Sequence, residues 1–161
     1  MEDEQLIKNA HRINLTIWIA IISFIVVLTM ITFFIDSMSP LQPVEGANQI
    51  NQFAFLLAVV LAFAILIFKR TLFMPEKILA KYKHESAELL TTLCLNQIRK
   101  NYIIVWAMGE AICILGFVNY ILTANRQYFL VFAVVSIYSV LINMPRIALL
   151  KRCAEPNQVY S

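Results

Sequence analysis

Charge is what this sequence has least of. Lys, Arg, Asp and Glu make up 14% of its 161 residues, against 60% hydrophobic residues. A soluble domain carries about a quarter charged residues, and a chain this poor in them has no means of covering a water-facing surface. Its solvent is therefore lipid. Glycine is nearly absent, at three residues, which leaves no Gly-rich phosphate loop and no flexible linker. His11 and His84 are the two histidines; each stands alone in a polar stretch and reads as solvated surface. The three cysteines, Cys94, Cys113 and Cys153, form no C-x-x-C pair. That scatter reads as unpaired thiols in a reducing compartment and not as a disulfide framework. No H-E-x-x-H, G-x-x-x-x-G-K-[ST] or G-x-S-x-G occurs. Without a nucleophile–base pair or clustered metal ligands, the sequence points to a non-enzyme that uses no cofactor.

What the sequence has instead is long apolar runs. Four of them, over 13–35, 50–68, 102–122 and 127–145, have the length that a bilayer core demands of a helix, about 20 residues. The first spans Ile13 to Ile35 without a charge. It is too long for a signal-peptide core and has no small-residue cleavage site after it, so it reads as a retained span. Asp36 ends it, and Pro40, Pro43 and Gly46 make the next segment a loop. The turn between the third and fourth runs is a few residues long, which makes those spans antiparallel neighbours. The expected fold is an all-α membrane protein, an antiparallel bundle of four transmembrane helices forming one domain over 1–161.

Between the second and third spans lies the one substantial polar segment. Pro75 suits the first position of a helix, and no breaker follows between Glu76 and Met108. The pattern predicts a cytoplasmic helix over 75–100 that runs directly into the third span. Ile78, Tyr82, Leu89 and Leu93 recur on it at helical spacing. Such a stripe must lie on a partner, on the headgroup layer or on the protein's own bundle.

Twelve of the thirteen Lys and Arg residues fall on one side of this arrangement, and Arg126 alone falls on the other. The positive-inside rule then puts both termini and the middle segment in the cytoplasm, with a bacterial inner membrane as the expected location. The cluster Lys69, Arg70, Lys77, Lys81 and Lys83 sits where anionic lipid headgroups would be held, at about 1 kcal/mol per residue. Its plainer role is anchoring the fold. The basic residues do not form a nucleic-acid surface. The partners expected are the bilayer and other membrane subunits, or self-association.

One residue breaks the apolar pattern. Glu110 lies near the middle of the third span, where a carboxylate costs on the order of 2.5–3.5 kcal/mol. No Lys or Arg lies inside any span, so its partner must be a hydroxyl, an amide, a carbonyl, an ion or another subunit. Ser136, Ser139 and Asn143 share one stripe of the fourth span, Asn119 and Tyr120 lie further outward on the third, and Ser23 lies on the first. Ala107, Gly109, Ala111, Cys113 and Gly116 make the surroundings small, and Ala107 with Ala111 have the i, i+4 spacing that lets helices approach closely. Glu110 thus reads either as a proton- or ion-binding carboxylate in a transport path or as a polar contact between helices or subunits.

The stretch Gly109-Glu110-Ala111-Ile112-Cys113-Ile114-Leu115-Gly116-Phe117-Val118 resembles the proton-carrying helix of rotary ATPase proteolipid subunits, in which a Glu is followed by Ala, an apolar run, Gly and Val. The resemblance implies a ring subunit with Glu110 as its proton carrier. In that family the inner helix is Gly-rich and the acid of the four-helix members lies in the last helix. Here the first span has Trp18, Phe24, Phe33 and Phe34, and the acid lies in the third. The function expected overall is a small non-catalytic membrane subunit or accessory factor of a larger complex, with a proton- or ion-coupled carrier or ring subunit as the alternative.

Overall fold

The computed structural model of the chain describes residues 2–38, 41–74, 77, 78, 80, 82 and 87–154, and among these all regular structure is helical. Among the described residues five helices have both ends defined: α1 (Glu2–Met38), α2 (Ala47–Leu72), α3 (Ala87–Thr123), α4 (Arg126–Ile142) and α5 (Ile147–Ala154). Three of them, α1 to α3, are long and apolar enough to cross a membrane. The segment in which a helix from Pro75 was expected falls largely outside the described residues. From Ala87 onward the chain is one uninterrupted helix of 37 residues.

Local chemistry sets the ends. The polar head is helical from Glu2, with a Glu4–Lys8 pair one turn apart. Gly46 adopts φ 80° just before α2, a left-handed conformation that costs glycine nothing. Between α3 and α4 the turn is Ala124, at φ 54°, and Asn125, whose side chain accepts from the Tyr128 amide and caps α4. Helix α4 stops at Ile142, three residues short of the expected Pro145. Pro145 disfavours the helical conformation for Met144 and has no amide to donate.

At 1.5 Å per residue, α1 and α3 are each about 55 Å long, against a hydrocarbon thickness of about 30 Å. Their far ends are tied together. Arg126 pairs with Asp36 at 2.6 Å, and the Val44 amide of the 41–46 loop donates to the Leu122 carbonyl at 3.0 Å. The surplus length therefore projects at the other end, where the Lys and Arg residues gather. There Ile7 and Ala10 of α1, Leu95 and Ile98 of α3 and Leu150 of α5 carry the same core on beyond the apolar zone.

Helix α3 is the hub. Of its most apolar stretch 44% is buried, against 22% for α2 and 11% for α1. Its contact with α4 is close because two glycines face that helix. A Cβ added at Gly109 would meet Val140 Cγ2 at 2.9 Å, and one at Gly116 would run into Phe132. Ala107, by contrast, is exposed, so the Ala107–Ala111 pair expected to bring helices together does not do so. The outer wall is apolar, with Phe53, Leu56 and Phe63 of α2 all more than 60% exposed. Water would not tolerate such a wall, but lipid suits it.

Candidate functional site

The densest polar constellation surrounds the C-terminal end of α4. A helix leaves its last four carbonyls without intrahelical partners, and away from water each must be satisfied by other means. Here every one is. Asn143 Nδ2 donates to the Ser139 carbonyl at 2.7 Å. Trp18 Nε1 of α1 reaches the Val140 carbonyl at 2.9 Å. The Met144 amide takes the Leu141 carbonyl at 3.1 Å. Lys69 Nζ of α2 donates to the Ile142 carbonyl at 3.2 Å, and Trp106 Nε1 of α3 donates to the Asn143 carbonyl at 2.9 Å. One donor from each of the three long helices thus caps the short one. Helix α4 can end inside the protein because these side chains replace the solvent that an exposed helix end would need.

Two further polar links cross the bundle. Ser136 Oγ, fully buried, donates to the Gly109 carbonyl at 2.6 Å. Nearer the loop end Asn119 Nδ2 donates to Asn51 Oδ1 at 2.8 Å, joining α3 to α2. Ser139 donates to the Val135 carbonyl of its own helix. Ser136, Ser139, Asn143 and Asn119 are all buried, and each is spent on helix contacts. None of them bonds to Glu110. Ser23 is exposed. Glu110 itself is half-buried, about 20 Å along α3 from Thr123 by helical rise. Among the described residues it makes no hydrogen bond and no ion pair.

The three described members of the basic cluster do not face one site. Lys69 turns inward to α4, while Arg70 and Lys77 are exposed; Lys81 and Lys83 lie outside the described residues. Lys69 instead meets Arg146 across a pocket of about 170 Å³, with Tyr102, Phe73 and Asn143 also on its wall. Tyr102 accepts from the Arg146 backbone amide at 3.2 Å and stacks on Trp106 at 5.0 Å. The residues of the stripe Ile78, Tyr82, Leu89 and Leu93 are covered unevenly. Ile78 is buried and Tyr82 packs against the same core, Leu93 is half-buried, and Leu89 is 45% exposed. Among the described residues no three His, Cys, Asp or Glu side chains gather as a metal site. Cys113 is a buried free thiol. Cys94 is disulfide-bonded, which corrects the reading of three unpaired thiols, since a cysteine's partner is chosen by tertiary proximity that no local spacing records.

Several residues carried no flag in the sequence. Asn51 stands at the start of an apolar run and looks like a boundary residue until its partner is seen. Arg146 looks like a topological charge, and Trp18 and Trp106 read as interface or core aromatics. Asn14 is fully buried with neither side-chain atom partnered among the described residues; a polar residue at the edge of an apolar run gives no sign of that. No family model, curated protein or solved structure matches the chain.

Proposed function

We propose that the protein is a small, non-catalytic integral-membrane subunit or accessory factor of a larger membrane complex. Its four helices cross as an antiparallel bundle, with α4 completing the set. The basic end and both termini lie in the cytoplasm, and the membrane is a bacterial inner membrane. The charge asymmetry supports the orientation, and the capped end of α4 accounts for a span of only 17 residues.

The observation that carries this reading is Glu110. A carboxyl at membrane depth is costly unless paired, and the chain answers the carbonyls at the C-terminal end of α4 one by one. Glu110 is left half-exposed and unpartnered among the described residues. A bonding group supplied by a neighbouring subunit would complete it. The test is purification of the tagged chain from native membranes with identification of co-purifying proteins. Glu110→Gln should keep the partner, whereas Glu110→Leu, losing about 1–2 kcal/mol of association, should lower its recovery about 5- to 30-fold. A chain that purifies alone, with the Leu variant unchanged, overturns the subunit reading.

The same half-buried carboxyl, unpaired among the described residues, favours a second reading, a proton- or ion-coupled carrier or a ring subunit of the kind its 109–118 segment resembles. Under that reading Glu110→Gln abolishes transport and leaves the fold intact.

A further inference from the structure

Helices α2 and α4 both lean on α3 and barely on each other. The seam between them is a groove of about 370 Å³. Ile112 of α3 forms its floor, Ala58, Ala62 and Leu66 one wall, and Val131 and Val135 the other. The two alanines keep the α2 wall low where longer side chains would fill the space. On α2 the groove ends at Leu66, and one turn later comes Lys69, on the wall of the polar pocket.

That pocket is built to receive an anion. Among the described residues its lining includes Lys69 and Arg146 and no carboxylate. Two like charges facing one cavity repel each other until an anion enters. Lys69 spends one N–H on the Ile142 carbonyl, and an ammonium has three. The Tyr102 oxygen accepts from the Arg146 amide, which leaves the hydroxyl proton free to donate. Together with the Arg146 guanidinium these donors match a group with several acceptor oxygens, as a phosphate has. The volume equals that of roughly five to six waters, enough for a phosphate group.

We propose that the α2–α4 seam holds an anionic glycerophospholipid, its phosphate between Lys69, Arg146 and Tyr102 and one acyl chain in the groove beneath. Charge selects the headgroup: a zwitterionic lipid would bring its own cation to a pocket that already has two. The groove, one turn from Lys69 along α2, selects a lipid over a soluble phosphate, which has no use for an apolar channel. This assignment is independent of Glu110 and of whether the chain works alone or in a complex.

The test uses the full chain, delipidated in neutral detergent and offered equimolar phosphatidylglycerol and phosphatidylcholine, with retained lipid measured by native mass spectrometry. Phosphatidylglycerol should be retained in preference. Each cation near a membrane surface contributes about a fivefold preference. Arg146→Gln should therefore reduce selectivity about fivefold, and Arg146→Gln with Lys69→Gln about 30-fold. Arg146→Gln is the decisive variant, because Lys69 also caps α4. Arg70→Gln, outside the pocket, should change nothing. Val131 is 49% exposed on the groove wall, and Val131→Trp should block the groove and lower lipid retention without touching the charges. Equal retention of both lipids by the wild type, or an Arg146→Gln variant as selective as the wild type, overturns the proposal. If inorganic phosphate displaces the lipid and Val131→Trp retains it fully, the site takes a soluble anion and the lipid assignment fails.

Discussion

Gly116 is where the packing of this protein can be tested most sharply. A methyl group at this position would land on Phe132, overlapping its Cβ and lying 2.8 Å from its Cγ. Carbon atoms pack comfortably at about 3.5–4.0 Å, so about 1 Å must be found. Phe132 Cβ is fixed to its backbone and cannot rotate away, so the two helices must part. Overpacking of this kind costs about 1–3 kcal/mol, and the higher helix propensity of alanine recovers about 1 kcal/mol of it. Gly116→Ala should therefore destabilise the bundle by about 1–2 kcal/mol. Gly109 serves as the control: the one tight contact of its added Cβ would be Val140 Cγ2, at 2.9 Å, the end of a side chain that can turn, with Ser139 Cβ and the Ser136 carbonyl at ordinary distances of 3.7 and 3.8 Å. Gly109→Ala should be close to neutral. Trp106 is fully buried between the same two helices and reports on them directly. Unfolding in mixed micelles of increasing SDS fraction, followed by tryptophan fluorescence, gives the midpoints. A Gly116→Ala variant as stable as the wild type, with Gly109→Ala the weaker of the pair, would refute the close-approach account of the α3–α4 contact.

Two other outcomes follow from the geometry. Trp106→Phe keeps most of the ring but leaves the Asn143 carbonyl without its donor; an unsatisfied buried acceptor costs about 1–3 kcal/mol, and far-UV circular dichroism during SDS titration should show that loss, with no loss meaning that α4 does not depend on this cap. For orientation, single cysteines at Glu45 and Lys151, both exposed, should behave oppositely in intact cells whose native cysteines are replaced by serine, position 45 labelled by an impermeant maleimide and position 151 protected. The reverse pattern would turn the molecule over and put the Cys94 disulfide in an oxidising compartment, where such bonds persist.

The sequence by itself determined the helical class, the lipid solvent and the approximate extent of the apolar runs. Those properties follow from composition and from one-dimensional constraints, since a bilayer demands runs of a certain length and prolines interrupt them. It also singled out Glu110, because a charge in an apolar run is visible without knowing its neighbours. Which small residues bring helices together was decided only by tertiary structure. Gly109 and Gly116 face α4 while Ala107 faces outward, a matter of helix rotation that spacing does not encode. The same holds for the polar residues. Ser136, Ser139, Asn143 and Asn119 are close to Glu110 on a schematic of spans, yet each is turned to a carbonyl or to Asn51. The cap of α4 draws on residues 18, 69 and 106, and the anion pocket joins residues 69, 102 and 146. Donors so far apart in the chain leave no local pattern. They meet because unsatisfied carbonyls at a buried helix end must be answered by whatever side chains the packing brings within reach.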